Sequence, residues 1–526
     1  MKQKHLLTSL IVLMALSQME VHSQSQKAMP RLVVSILVDQ LRTDYLEAFM
    51  PLYGEEGFKR LLAQGRVYEQ ATYPTKRLDH ASAAALFATG ATAFDNGIIA
   101  STWWDRETLR PINAVDDATQ QGLNTTQKSS AARLQVSTFS DELKIATEGK
   151  ALVYAIAPSR ETAILTAGHS ANSAIWLDDV TGSWASTSYY GEFPQWAHIV
   201  NSKYSAAIGA AKVWVPTDAV VGSFSYLGAG GKKIAFKHKF EGNNRYKDYK
   251  TSGLINGDIA EATRHCLSHT TLGRDEVADY LSITFNAYTY RHASTEQVSM
   301  ELQDTYVRLD AAIANVLKHI EKHIGISNTL VVLSSTGTTS QTNDQYKKYR
   351  VPTGEVDIQR ISHLLNVYLM AIYGNGQYVE GVFGREIYLN HSLLNQKNLL
   401  RQEVLAKVEA FLLQLSGIKA VYTPQHISQS IGTPEGIYLR NAYNSVTSGD
   451  VWLQLRTGWK LINDSHGENY TASYTKIPFP LVFYGFNIAH ERIGEVVQVD
   501  AVAPTLSKAL RIRAPNACSA TLLKGF

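Results

Sequence analysis

The run Leu32-Val33-Val34-Ser35-Ile36-Leu37-Val38 is almost unbroken in apolar character and ends on Asp39. A run without a solvent face predicts a strand buried on both sides, the kind found inside parallel sheets. Residues 151–156, 280–285, 329–333 and 481–484 read the same way. Helical patterns alternate with these strands. Residues 57–64 predict a short helix. The alanine-rich stretch 81–88 predicts another, which follows the loop 74–80 and stops at Gly90. Between 295 and 324, Val298, Leu302, Val307, Leu309, Ile313, Val316, Leu317 and Ile320 recur at roughly helical spacing. Residues 501–510 predict a late helix. This alternation predicts an α/β fold, a mainly parallel sheet sandwiched by helices.

Two stretches interrupt the alternation. Residues 175–250 are rich in Tyr, Trp, Gly and Lys, with weak periodicity, and predict an inserted cap. Residues 358–450 predict a second insertion, with a helix at 403–415. At 526 residues the chain is too long for one small core, so one large domain with such insertions is expected. The start of the chain has a different character. Lys2 and Lys4 precede an apolar run over 6–16, and polar residues follow from Ser17. That run is short for a bilayer span and fits a cleaved secretory signal over residues 1–23, with Val21 and Ser23 at the small-residue positions. The expected location is exported: periplasmic, associated with the outer membrane, or secreted. No later run is long enough for a transmembrane segment.

Charge adds an exclusion. Lys and Arg number 50 against 47 Asp and Glu, so no basic surplus implies a nucleic-acid partner. The 27 Tyr and 8 Trp argue against disorder and lean toward an envelope protein. Cys266 and Cys518 are the only cysteines; export leaves a disulfide open, and two separate thiols are the alternative.

Several blocks, in order, resemble the phosphodiesterase-like branch of the alkaline phosphatase superfamily, in particular exported PafA-type bacterial phosphatases. They are Leu37-Val38-Asp39-Gln40-Leu41-Arg42-Thr43-Asp44-Tyr45-Leu46, Tyr73-Pro74-Thr75, Thr89-Gly90, Asn96-Gly97-Ile98 and Ala163-Ile164-Leu165-Thr166-Ala167-Gly168-His169. Asp304-Thr305-Tyr306, Val351-Pro352-Thr353-Gly354, His466-Gly467 and Pro480-Leu481-Val482-Phe483-Tyr484-Gly485 continue the series. The resemblance implies the alkaline phosphatase-like fold. It also implies a site in which two zinc ions flank a Thr or Ser nucleophile, lower its pKa and neutralise charge on the transferring phosphoryl group.

Carried over position by position, most of that site is missing. Asp39 stands where the family places its first metal carboxylate, and His466 where it places its last ligand. Arg77 falls on the nucleophile position, and a guanidinium stays protonated and cannot attack phosphorus. Thr75 is adjacent but belongs to the loop scaffold. The Asp and His of one ligand motif become Thr289 and Ala293; His292 sits one residue early, and a register that uses it puts Tyr288 at the Asp position. The Asp-His pair of the next motif becomes Thr336 and Gly337. The phosphate-gripping Asn, Lys and Arg become Ser101, Ser159 and Glu161, with Arg160 one register away. Arg77 is expected at the floor of the cleft beside Asp39, pairing with it or with another acid.

These replacements predict a catalytically degenerate binding or scaffold protein of the cell envelope, with no cofactor and a protein or glycan partner recognised through the Tyr- and Trp-rich cap. The alternative is an active metal-dependent phosphatase or phosphodiesterase with a rearranged site built from Asp39, His466, His292 and Asp44, in which case zinc is the expected cofactor.

Overall fold

The computed structural model describes residues 29–222, 235–290, 292, 299–341, 350–463, 468–471 and 473–526. Its centre is the strand Leu32–Asp39, every residue of which is buried. Leu32, Val34, Ile36 and Val38 feed one core, and Val33 and Leu37 feed the other. The side-chain period of two thus divides one apolar run between both faces of a sheet.

That sheet has ten strands. From one edge, the order is Glu491–Gln498, Arg66–Thr72, Phe479–Gly485, Thr329–Ser335, Leu32–Asp39, Asp279–Asn286, Val153–Ala157, Ser173–Leu177, Trp184–Thr187 and Gly122–Leu123. The five strands from Thr329–Ser335 to Ser173–Leu177 run parallel to one another. Phe479–Gly485 and Trp184–Thr187 are antiparallel to their neighbours. The parallel register brings Val38 beside Ser335 and Phe285, so the carboxyl ends of the three central strands finish together. Open α/β sheets bind ligands at that edge.

The helix Met300–His323 buries its apolar stripe from Leu302 to Ile320 against one face. The helix His80–Thr89 covers the other and is buried from Ala81 to Thr89. Burial on all sides explains its alanine composition, because small side chains let it lie close to its neighbours without an exposed polar stripe.

Residues 175–177 complete a central-sheet strand, and Gln195–Lys203 packs onto the sheet through Trp196, Ala197 and Val200. Trp176, Trp184, Trp214 and Tyr249 are among the largest fully buried side chains. The aromatic richness of 175–250 is therefore largely core-forming at these positions. Downstream, the strands Val379–Phe383, Glu386–Leu389, Val451–Leu455 and Ile418–Tyr422 form a separate four-stranded sheet. The helices Ile358–Tyr373 and Arg401–Leu412 close a core of its own around Leu365, Leu369, Val408 and Leu453. Cys266 and Cys518 are both free thiols. Among the described residues, no helix is long and apolar enough to cross a membrane.

Candidate functional site

Asp39 closes the central strand at the carboxyl edge of the sheet and is 5% exposed. Its Oδ1 accepts a hydrogen bond from the Thr336 hydroxyl, and its Oδ2 accepts one from the Tyr288 phenol. Tyr288 follows the Asp279–Asn286 strand and Thr336 follows Thr329–Ser335, so the two neighbours of the central strand each deliver one hydroxyl. The Thr336 hydroxyl also accepts from the Gln40 amide at 3.1 Å and is buried, which leaves it no path to a substrate as a nucleophile. Burial, and then the Asp39 carboxylate, raise the Tyr288 phenol well above its ordinary pKa, so it stays a proton donor.

The loop that the resemblance aligns with the nucleophile is fixed by its own contacts. Tyr73 donates to the Ser335 carbonyl at 2.7 Å, and the Thr75 hydroxyl donates to the Arg77 carbonyl at 3.0 Å, a local turn that fixes the loop. Of the two pairings expected for Arg77, with Asp39 or with another acid, the structure shows the second. Its guanidinium reaches the second unit and meets Glu386 at 2.9 Å, where the Glu386 side chain is 4% exposed. The Tyr388 hydroxyl donates to the same carboxylate at 2.9 Å. Two more contacts dock the loop on this unit: the Lys76 amide on the Tyr438 carbonyl at 3.1 Å, and Asn441 Nδ2 on the Pro74 carbonyl at 2.8 Å.

A charged cluster lies between the loop and the helix Arg160–Ala167. Asp79 caps the helix His80–Thr89, bonding the Ser82 amide at 2.9 Å and the Ser101 amide at 2.6 Å. His80 Nε2 is 3.6 Å from Glu161, which also accepts from Asn113 Nδ2 at 2.5 Å. Burial holds the Glu161 carboxyl up, but His80 and Arg160 outweigh it and keep the group well below the ordinary carboxylate range. Arg160 in turn meets Asp116 at 2.8 Å. Ser159 caps the helix Arg160–Ala167 through the Thr162 amide. Ser101, Ser159 and Glu161 are thus engaged by Asp79, Thr162, and His80 with Asn113.

His80 gives this cluster a pH signature. Burial favours its neutral form, but Glu161, Asp79 and Asp39 raise it from 6.5 to about 9. A folded-state pKa above the unfolded one stabilises the fold fully below the unfolded value and loses that stabilisation as pH climbs through the folded value. The stability difference between the parent and His80→Gln should therefore be greatest below pH 6.5 and shrink as pH rises through about 9. Urea unfolding of both proteins across that window measures it; a difference independent of pH would remove His80 as a cation.

The remaining predicted positions scatter. Thr289 is exposed beside Tyr288. His292 is half-exposed, with its imidazole 3.5 Å from Asp248. Asp44 is held at the surface by Arg42 at 2.6 Å. Gly337 has φ +73°, and a Cβ there would sit 2.8 Å from Leu78 Cδ2. Ala293 and His466 lie outside the described residues. Sequence reasoning missed the partners Tyr288, His80, Asn113 and Glu386. Tyr288 carried a signal, since the alternative ligand register placed it at the Asp position.

Residues 33–477 match the type I phosphodiesterase / nucleotide pyrophosphatase family. The chain belongs to this family. It is 27% identical over 514 residues to alkaline phosphatase PafA of Elizabethkingia meningoseptica, covering 93% of this chain and 92% of that one. To alkaline phosphatase PhoV of Synechococcus elongatus it is 26% identical over 515 residues, covering 93% and 91%. The crystal structure of wild-type PafA matches with a TM-score of 0.80 at 25% identity, over 94% of this chain and 98% of that one. The alkaline phosphatase-like fold is retained across nearly the whole chain.

A zinc pair does not fit the donors around Asp39 among the described residues. Zinc is held by carboxylate, imidazole and thiolate groups, usually at least three from the protein. Here both Asp39 oxygens accept from alcohol and phenol O–H groups. Among the described residues, no group of three or more His, Cys, Asp and Glu side chains is arranged to hold a metal ion.

Proposed function

We propose that this chain is a non-catalytic member of the family, a binding or scaffold protein that keeps the phosphatase fold and has exchanged its metal ligands for a hydrogen-bonded network. The observation that carries this reading is the pair of hydroxyls on Asp39, one from each neighbouring strand end. A hydroxyl donor neutralises a buried carboxylate's hydrogen-bonding need, as a metal would, without supplying positive charge to a phosphoryl group. Arg77 supports the reading because it supplies no nucleophile and is committed to Glu386. The basic and apolar start of the chain supports export to the cell envelope.

Elemental analysis of dialysed protein, together with turnover of aryl phosphate mono- and diesters, tests the proposal. The expected result is less than stoichiometric zinc, no turnover above the buffer rate, and a melting temperature unmoved by a chelator. Two zinc ions per chain, or turnover abolished by Asp39→Ala, would instead establish the active metal-dependent phosphatase.

A further inference from the structure

A hollow of about 370 Å³ is lined by the helices Ile255–His269 and Met300–His323 and by residues that precede them. Small residues make room for it: Gly257, Ala260 and Ala311 line its wall, and a Cβ on Gly257 would meet nothing within 4 Å. The volume falls in the range of small-molecule sites.

Its polar groups are arranged by depth. Asp258 is 5% exposed, and its Oδ2 accepts from the Tyr249 hydroxyl. The Oδ1 of Asn315, which lines the same hollow, is buried and has no hydrogen-bond partner among the described residues. Leaving a buried acceptor unpaired costs free energy, so Asn315 Oδ1 beside the buried Asp258 carboxyl calls for a ligand that donates. Nearer the solvent stand two cations. Lys212 is exposed, and Arg308 is anchored by Asp304 at 2.6 Å and the Val215 carbonyl at 3.0 Å. Acceptors lie inside and positive charge outside.

We propose that this hollow binds a small primary ammonium compound with an anionic end, its ammonium on Asp258 and Asn315 and its anion toward Lys212 and Arg308. An ammonium has three donors and no acceptor, which matches two inward acceptors without competing for them. A simple anion would face the Asp258 carboxyl, and a simple cation would have to pass Lys212 and Arg308. An amino acid and an aminoalkyl phosphate share the required chemistry.

Protonation should report the contact. Burial raises the Asp258 carboxyl to about 7, against the Tyr249 hydrogen bond and the Lys212 charge and with help from Glu261. The groups facing it are Tyr249, Lys212, Glu261 and Arg308. An ammonium prefers the carboxylate, so affinity should rise as pH increases through about 7.

Titration calorimetry on the full mature chain, with glycine and O-phosphoethanolamine as probes and ethanolamine and inorganic phosphate as single-charge controls, tests this. One two-charge probe should bind roughly tenfold or more tighter than either control, and which one binds distinguishes the amino acid from the aminoalkyl phosphate. Asp258→Asn and Lys212→Glu should each weaken it by roughly tenfold or more. Gly257→Leu should abolish binding while leaving the melting temperature unchanged or higher, because leucine fills the hollow and suits a helix better than glycine. No binding of either probe at millimolar concentration, controls that bind equally well, or binding indifferent to Gly257→Leu and Lys212→Glu would overturn the proposal. Lys212 is a surface residue, so its variant keeps the test open if a core variant fails to fold.

Discussion

Arg77→Ala is expected to destabilise the protein by about 3–5 kcal/mol, the usual cost of stripping one partner from a buried ion pair. Glu386 is 3% exposed, so without Arg77 its charge would keep, among the described residues, the Tyr388 hydroxyl as its polar partner. The loss is strain at a junction as well as within one pair. Arg106 meets Asp450, a second buried acid of the same unit, at 2.7 Å and lies over the Tyr388 ring. Two arginines of the main domain therefore hold two buried acids of the second unit, and Tyr388 lies between them. Removing Arg77 should loosen this contact, and Glu386→Gln in the Arg77→Ala background should recover much of the stability by discharging the orphaned acid. Urea midpoints of parent, single and double variants measure the effect. A single variant within about 0.5 kcal/mol of the parent, the range of an ordinary surface change, would show that the pair does not clamp the junction.

The role of Arg77 also shows where sequence reading stops. Asp39, Thr336 and Gly337 were legible because each ends or follows an apolar run that can only be a core strand, and parallel register fixes where such ends meet. The same logic located the alanine helix that stops at Gly90, which has φ +65° as a left-handed helix cap requires. Arg77 itself could be placed on its loop, but not its direction. Its partner sits in a separate sheet with its own core, and nothing in the pattern around Glu386-Ile387-Tyr388-Leu389 marks which acid will face the main domain. Tyr288 failed for a different reason. A search for lost ligands looks for acids and imidazoles, whereas the replacement donor is a phenol at the adjacent register. The Tyr and Trp content of 175–250 was read as a recognition surface, but composition carries no depth, and Trp214 spends its indole N–H on buried Asp304 at 2.6 Å.

Installing the Asp-His pair that the resemblance implies, Thr336→Asp with Gly337→His, is expected to cost about 3 kcal/mol or more and to recover no zinc site. Two effects add. Gly337 has φ +73°, where a side chain is strained, and its Cβ would press on Leu78 Cδ2 at 2.8 Å and Tyr73 Cδ2 at 3.1 Å. Tyr73 is fully buried and bonded to the Ser335 carbonyl, so it has little freedom to yield. Aspartate at 336 would replace a donor to Asp39 by a second carboxylate. Two close carboxylates raise the pKa of one above its unfolded value, so the variant should lose stability as pH rises through the carboxylate range and regain part of it on acidification. Zinc could offset this only by binding the folded state, at about 2.7 kcal/mol for a free concentration a hundredfold above its dissociation constant. The Tyr288 phenol still occupies the other Asp39 oxygen, and Thr289 is exposed and offers no carboxylate. Thermal melts of the double variant with and without zinc decide the matter. Equal melting temperatures are expected; a rise of several degrees on adding zinc would mean that only two side chains separate this chain from a working metal centre.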